Sequence, residues 1–164
     1  TGQRTMQIQP ISLKRLVADV VESVESLAKN ADVRISSSVS KSLPPVQGDA
    51  LQLRQVISNL VVNAIKYSNE GDKVRIKART LKKKSIRISV VDTGIGIEKQ
   101  NIDRLTERFF RVDKSRSRSA GGTGLGLSIV KHILAAHEQV LQVESKPGVG
   151  STFSFELPLA DLPS

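Results

Sequence analysis

The chain has 164 residues, a length typical of one domain built around one hydrophobic core. Aromatic residues make up only 3% of it, so the core must consist mainly of aliphatic side chains. Cysteine is absent, which excludes disulfides and thiolate metal sites and fits a reducing compartment. No apolar run approaches the roughly 20 residues that a membrane-spanning helix needs, and the N-terminus lacks the apolar stretch of a signal peptide. We therefore expect a cytoplasmic domain, whether or not the full-length protein carries a membrane anchor.

The net charge of +9 is compatible with nucleic acid, a polyanionic small ligand, an acidic partner domain or a merely soluble surface. Proteins that bind single strands usually interleave stacking aromatic side chains with basic ones. The five aromatic residues here do not alternate with basic residues: Tyr67, Phe109, Phe110, Phe153 and Phe155. We therefore expect no nucleic-acid partner.

The first half of the chain combines short strand patterns with two amphipathic helices. Ser12 and Asp49 occupy the N-cap positions of these helices. The first helix has an apolar face formed by Leu13, Leu16, Val17, Val20, Val21, Val24 and Leu27, and the second by Leu53, Val56, Ile57, Leu60, Val61 and Ala64. In chain order, the patterns predict a strand over 6–11, a helix over 13–29, a strand over 33–39, a loop over 40–48 and a helix from 50 to about 68.

The second half is dominated by two hairpins. The patterns predict a hairpin of strands 74–80 and 86–91, a long segment 93–122 with one short helix near 99–105, a helix over 125–136, and a hairpin of strands 140–145 and 152–157. This order predicts an α+β fold, a two-layer α/β sandwich whose mixed, largely antiparallel sheet is covered by about three helices.

One edge of the second helix carries polar side chains. Asn59, Asn63, Lys66 and Tyr67 lie at positions i, i+4, i+7 and i+8, so they share one side of the helix. Amide oxygens suit magnesium, and a lysine can meet a phosphate group as a point charge. The alternative is the ordinary solvated face of an amphipathic helix.

An aspartate and two glycines follow the second strand of the first hairpin. Asp92 ends that strand, and Gly94 and Gly96 come directly after it. A carboxylate at this place can accept a hydrogen bond from an amine such as the exocyclic group of adenine. The glycines would let the backbone approach a flat ring. The alternative is an Asx turn at the end of a strand.

A glycine-rich segment, 121–127, precedes the last helix. Backbone N–H groups at the start of a helix can hold an anion, and the helix dipole adds to this effect. The glycine spacing matches neither a dinucleotide fingerprint nor a Walker loop. The alternative is a glycine hinge without a ligand.

The segment 108–113 places Phe109 and Phe110 between two arginines, and basic residues follow at 114, 116 and 118. This composition predicts a lid in which the aromatic side chains anchor the segment and an arginine meets phosphate. The alternative is a loop that the phenylalanines hold against the core.

Together, the four patterns resemble the catalytic domain of sensor histidine kinases, in the superfamily shared with gyrase, the Hsp90 chaperone and MutL. The resemblance extends from about Pro10 to Pro158. The segment 59–68 resembles the N box of this family, 92–96 the G1 box, 108–111 the F box and 122–127 the G2 box. The resemblance implies the Bergerat α/β sandwich, and the basic lid is similar to that of phosphate-starvation sensor kinases.

The resemblance also implies a role for each matching residue. Asn63 would coordinate Mg²⁺ between the ATP phosphates, and Tyr67 would lie beside the nucleotide. Asn59, Lys66 and Arg111 would contact phosphates, with Lys66 and Arg111 as the catalytic residues. Asp92 would recognise adenine. The rest of the ATP site would be formed by Gly94, Ile95, Gly96, Ile97, Phe110, Gly122, Thr123, Gly124, Leu125, Gly126 and Leu127.

The residue type at the position of Asn59 distinguishes two branches of the superfamily. Members that hydrolyse ATP, such as gyrase, carry a glutamate general base one turn before the magnesium asparagine. An amide cannot act as a base at neutral pH, so Asn59 favours a phosphoryl donor over a hydrolase. Catalysis would then rest on positioning and charge neutralisation.

The phosphate acceptor is not evident in the chain. In the family, a histidine followed by an acidic residue lies on a separate dimerisation domain, whereas we interpret His132 and His137 as structural or surface residues. We therefore expect a monomer that does not label itself, with its own dimerisation domain and a response-regulator receiver domain as partners. The expected organisation is a catalytic domain over 1–160, with the end of a linker at 1–10, the F box and ATP lid at 105–122, and a tail at 161–164.

The sequence is also compatible with two other functions. A serine kinase of the anti-sigma-factor type would share the fold, although the F box and the long basic lid favour the histidine kinase. A nucleotide-binding regulatory module without phosphotransfer is the second alternative.

Overall fold

The computed structural model describes residues 5–82, 84–102 and 126–160. In chain order the elements are β1 (Ile8–Ile11), α1 (Leu13–Asn30), β2 (Arg34–Ser38), β3 (Val46–Asp49), α2 (Ala50–Lys66), β4 (Lys73–Leu81), β5 (Ser85–Asp92), α3 (Lys99–Ile102), α4 (Gly126–Ala136), β6 (Gln142–Lys146) and β7 (Gly150–Pro158).

The main sheet has five strands in the order β2-β4-β5-β7-β6. Both predicted hairpins are confirmed, since β4 pairs antiparallel with β5 and β6 with β7. The pair β2–β4 is parallel, because the chain crosses over between these strands through α2. The predicted two-layer α+β sandwich is therefore confirmed.

The prediction of a plain loop over 40–48 is wrong at its C-terminal end. Val46–Asp49 forms β3, which pairs antiparallel with β1 in a separate two-stranded sheet. The short sequence Val-Gln-Gly-Asp has no alternation that would predict a strand. Its hydrogen-bonding partner, β1, lies before α1 in the chain, so only the tertiary structure reveals the pairing.

The helices α1, α2 and α4 provide the apolar side of the core. Every predicted apolar residue of α2 is buried. On α1 one prediction is wrong: Leu27 is 41% exposed, whereas Ala28 is only 2% exposed. Near the end of α1 the buried residues are four positions apart, at Val20, Val24 and Ala28. Leu27 therefore lies beside the buried face of the helix and not on it. Among the described residues, no helix is both long and apolar enough to cross a bilayer.

Asp49 joins three parts of the fold. Its side chain is fully buried, and Oδ1 accepts a hydrogen bond from the backbone N–H of Gln52 at 3.1 Å, as predicted for the N-cap of α2. Oδ2 accepts from the backbone N–H of Gln7 at 2.9 Å, just before β1. The backbone N–H of Asp49 donates to Nε2 of His137 at 3.1 Å, just after α4.

His137 is a structural residue, as the sequence indicated. Its Nδ1 lies 2.9 Å from the carbonyl oxygen of Ile133, while Nε2 accepts from Asp49. These two contacts fit the neutral ring with its proton on Nδ1. His132, by contrast, lies on the exposed side of α4.

We predict that Asp49→Ala lowers the free energy of unfolding by about 1–3 kcal/mol, because the backbone N–H groups of Gln52 and Gln7 lose their acceptor. Urea denaturation followed by circular dichroism measures this change. Asp19→Ala, on the exposed side of α1, is the control and should change stability by less than about 0.5 kcal/mol. Equal stability of the Asp49 variant and the wild type would contradict the role of this carboxylate.

Candidate functional site

The polar edge of α2 is formed as the helical spacing predicts. Asn59, Asn63 and Lys66 are partly exposed on the continuous helix, whereas Leu60 and Val61 are buried in the core. Tyr67 is the C-cap residue, and its backbone N–H donates to the carbonyl oxygen of Asn63 at 3.2 Å. The helix therefore combines an apolar contact surface with a polar edge that can face a ligand.

Asp92 lies at the end of β5, on the side of the sheet that faces the helices. Its side chain is only 7% exposed. Oδ1 accepts a hydrogen bond from the backbone N–H of Gly94 at 2.9 Å, and the backbone N–H of Ser151 also donates to the carboxylate. An Asx-type turn is thus present, but an ionised carboxylate has about four acceptor positions and can receive a further donor.

Burial raises the pKa of Asp92 above its ordinary value of 3.8. The hydrogen bonds from Gly94 and Ser151 oppose this shift, and the negative charge of Asp72 adds to it. The net upward direction means that the fold destabilises the charged form of Asp92. An ionisable group held at such a cost is typical of a functional site.

The loop after Asp92 packs against the end of α2. The backbone N–H of Ile95 donates to the carbonyl oxygen of Tyr67 at 3.1 Å. A Cβ atom at Gly94 would lie 2.3 Å from the same oxygen. The glycine at this position therefore allows the loop to contact the chain itself, and its expected approach to a flat ring stays a prediction.

The turn between β6 and β7 holds the loop from its other side. The backbone N–H of Gly148 donates to the carbonyl oxygen of Ile95 at 2.8 Å. Gly96 has a φ of +73°, and a Cβ atom there would lie 2.1 Å from the carbonyl oxygen of Lys146. Both the backbone conformation and the close contact therefore require glycine at position 96.

Ser145 and Ser151 complete this support, and neither was predicted as a site residue from the sequence. The backbone N–H of Ile97 donates to Oγ of Ser145 at 2.7 Å, and Oγ of Ser145 donates to the carbonyl oxygen of Gly150 at 3.0 Å. The hydroxyls of Ser145 and Ser151 are 2.7 Å apart. No local signal marks these serines, because only the strand register brings β6 and β7 to the Asp92 loop.

The start of α4 lies beside the polar edge of α2. Nδ2 of Asn59 donates to the carbonyl oxygen of Gly126 at 3.4 Å. Gly126 is exposed, whereas Leu127 is 9% exposed and belongs to the core, as does Ile97 at 8%. The predicted segments around Asn59, Tyr67, Asp92 and Gly126 are thus brought together around the C-terminal half of α2.

Several predicted site residues lie outside the described residues. They are Phe110, Arg111, Gly122, Thr123, Gly124 and Leu125. The proposed lid and most of the glycine-rich segment therefore remain predictions.

The raised pKa of Asp92 predicts a pH-dependent contribution to stability. A raised folded-state pKa stabilises the fold below the unfolded value near 3.8, and this contribution is lost as pH rises through the folded value. Relative to Asp92→Asn, the wild type should therefore be most stable in acid and lose stability as pH rises. Denaturant unfolding of both proteins across this range measures the difference. The raised pKa would be contradicted if the difference in free energy of unfolding did not change with pH. It would also be contradicted if the wild type became more stable relative to Asp92→Asn as pH rises.

The sequence profile described as histidine kinase-, DNA gyrase B- and HSP90-like ATPase matches residues 48–161. The sensor-like histidine kinase SenX3 of Mycobacterium tuberculosis is 42% identical over 157 residues, which are 96% of this chain and 38% of that protein. The phosphate regulon sensor protein PhoR of Pseudomonas aeruginosa is 40% identical over 146 residues, covering 89% of this chain and 32% of that protein. The chain thus spans well under half the length of these relatives.

Two solved structures have the same fold as this chain. Full-length ShkA in complex with AMPPNP gives a TM-score of 0.84 at 30% identity and covers 98% of this chain and 33% of that one. The catalytic domain of histidine kinase ThkA gives 0.80 at 27% identity and covers 94% of this chain and 99% of that one. The chain therefore belongs to the family of histidine kinase-, DNA gyrase B- and HSP90-like ATPases, and its sequence relatives include the sensor-like histidine kinase SenX3.

Proposed function

We propose that this chain binds Mg-ATP and donates the γ-phosphate to a histidine on a separate dimerisation domain of a two-component sensor kinase. The proposal concerns the catalytic half of that reaction. The acceptor histidine and the residues beside it would belong to the dimerisation domain, and the phosphoryl group would then pass to the receiver domain of a response regulator.

The absence of a general base on α2 supports this proposal most directly. The helix contains no aspartate or glutamate along its whole length, Ala50–Lys66. Asn59 occupies the place where hydrolysing members of the superfamily carry glutamate, and its amide donates to Gly126. An amide can orient a phosphate or a helix end but cannot remove a proton from water. The site therefore favours holding ATP for another acceptor over hydrolysing it.

The environment of Asp92 supports recognition of adenine. The carboxylate is buried and is held in one orientation by the backbone N–H groups of Gly94 and Ser151. It can accept a hydrogen bond from the exocyclic amine of adenine, while the carbonyl oxygen at the same place on guanine would be repelled. Asp92 would thus select ATP over GTP.

The donor set on α2 fits a magnesium ion that is shared with phosphate. The described residues contain no group of three His, Cys, Asp or Glu that could hold a metal ion without a ligand. Asn63 offers one amide oxygen, a hard ligand, which suits a magnesium ion that takes its other ligands from phosphate and water. Bound magnesium would neutralise charge on the phosphates, and Lys66, with Arg111 outside the described residues, would add positive charge.

Two features support the proposed organisation of the protein. Residues 8–11 form β1 and are paired with β3, which supports a catalytic domain over 1–160 that includes the end of the expected linker at 1–10. SenX3 and ThkA are named as histidine kinases, which favours this function over a serine kinase of the anti-sigma-factor type or a regulatory module. Residues 105–122 would form the F box and ATP lid, and the isolated chain would be a monomer.

We predict that Asp92→Ala weakens ATP binding by about a hundredfold or more, because a hydrogen bond to a charged, buried group is lost. Titration with ATP in a calorimeter, with and without magnesium, measures this effect. Asp19→Ala is the control and should bind ATP like the wild type. Wild-type affinity in the Asp92 variant would contradict the adenine assignment.

Asn63→Ala tests the metal site in the same titration. This variant should retain the magnesium-free affinity for ATP and lose most of the gain that magnesium gives to the wild type. A gain that survives in Asn63→Ala would show that another group holds the metal ion.

We also predict that the chain alone does not phosphorylate itself. With radiolabelled ATP and magnesium, acid-labile phosphate should appear only on an added dimerisation domain from a related sensor kinase. Stoichiometric label on the isolated chain would contradict the interpretation of His132 and His137 as non-acceptors. Release of free phosphate at a rate similar to that of a hydrolase would contradict the role given to Asn59.

A further inference from the structure

The outer face of the sheet carries a concentrated positive charge. We name as the basic sheet face the six cationic side chains on β2, β4 and β5 that point away from the helices: Arg34, Lys73, Arg75, Lys77, Arg79 and Arg87. All of them except Arg87 are exposed. This surface takes no part in the candidate nucleotide site.

The alternation of β4 places its four cations on one side. Val74 and Ile76 are fully buried under the helices, so Lys73, Arg75 and Lys77 must point outwards. Alternate residues of a strand are about 6.7 Å apart, so the cations from Lys73 to Arg79 form a row of about 20 Å.

The strand register widens this row across the neighbouring strands. Arg34 of β2 is directly opposite Lys73, and Arg79 is directly opposite Arg87 of β5. Cationic side chains directly opposite each other repel, which destabilises the sheet. On β2 and β4 no acidic side chain points to this face, since the outward positions of β2 are Arg34, Ser36 and Ser38. The positive charge on β2 and β4 thus has no acidic side chain facing it on these strands, and an external anion would reduce the repulsion between the cations.

Acidic groups near this face lie at its borders. Glu156 of β7 is 3.8 Å from Arg87, and Glu144 lies on the outer side of β6. Asp72 precedes β4, where its Oδ2 accepts from the backbone N–H of Asn69, and Asp32 precedes β2. The centre of the basic sheet face therefore remains strongly positive.

The chemistry of this face favours one class of partner. A stable protein interface usually has aromatic or large apolar anchors. This face has no aromatic side chain, and its apolar residues on β4 and β5 are Val91 beside Arg75 and Leu81 at the end of β4, both partly buried. The lack of aromatic residues also disfavours single-stranded nucleic acid. A broad sheet face does not enter a duplex groove, which admits a helix or a two-stranded ribbon. A laterally extended anionic layer requires only many cations in one plane.

We propose that the basic sheet face docks on the headgroup layer of an anionic phospholipid membrane. Each exposed cation would contribute through its attraction to the lipid phosphates. Asp92 alternates with Val91 along β5 and faces the helices, so the nucleotide site lies on the opposite side of the sheet. Docking would therefore leave the site accessible to ATP. This proposal does not depend on the proposed kinase function.

Vesicle co-sedimentation of the whole chain tests the proposal. The chain should sediment with vesicles of phosphatidylglycerol and not with vesicles of phosphatidylcholine, and added salt should weaken the association. The triple variant Arg75→Gln, Lys77→Gln, Arg79→Gln should lower the partition coefficient by about a hundredfold. The single variant Lys77→Gln should lower it by about fivefold, and this variant replaces the triple one if the latter does not fold.

A matched variant distinguishes binding through the basic sheet face from binding through the net charge of the whole chain. Lys14→Gln, Arg15→Gln, Lys29→Gln removes the same charge from exposed positions of α1 and should change the partition by less than about threefold. Melting temperatures like that of the wild type would show that both triple variants are folded. An equal loss in both triple variants, or no binding of the wild type to phosphatidylglycerol, would overturn the proposal. Binding to duplex DNA that depends on Arg75, Lys77 and Arg79, without binding to vesicles, would also overturn it.

Discussion

The buried carboxylate of Asp49 fixes where α2 begins, and the candidate site depends on that starting point. Asp49 caps the helix through the backbone N–H of Gln52 and also binds the backbone N–H of Gln7. Because a helix advances by a fixed rotation per residue, this cap sets the direction of every later side chain. Asn59, Asn63 and Lys66 therefore lie on the side that is not buried. The backbone N–H of the same residue donates to Nε2 of His137, so Asp49 also positions the end of α4.

The second constraint is the burial of Asp92. A carboxylate that is 7% exposed would be costly without partners, and the backbone N–H groups of Gly94 and Ser151 offset part of that cost. The remaining cost is seen in its raised pKa. In return, the acceptor is held in one direction and is shielded from water, which strengthens any hydrogen bond to a ligand. The loop that follows can hold this geometry because it is fixed by Tyr67 on one side and by the β6–β7 turn on the other.

The two faces of the sheet have separate chemistry for a physical reason. A largely antiparallel sheet with helices on one side has a dry face and a wet face, and strand alternation assigns residues to each. On β5, Ile88, Val90 and Asp92 face the helices, while Arg87, Ser89 and Val91 face outwards. The inner face can thus support a nucleotide site while the outer face carries the positive charge of the basic sheet face.

Much of the fold could be predicted from the sequence, because the relevant signals are local. The caps Ser12 and Asp49, the apolar stripe of α2 and both hairpins depend on residues a few positions apart. Motif order also identified the segments around Asn59, Asp92 and Gly126, which the structure brings together.

The remaining features required tertiary contacts between distant parts of the chain. The sequence by itself determined which residues could cap, pair or bind, since capping and alternation are short-range properties. Only the tertiary structure decided that Val46–Asp49 pairs with β1, that His137 accepts from Asp49, and that Ser145 supports Ile97. It also gave Gly94 its contact with Tyr67. These choices depend on which segments become neighbours when the apolar faces of the helices and the sheet are buried together, and no local pattern encodes that.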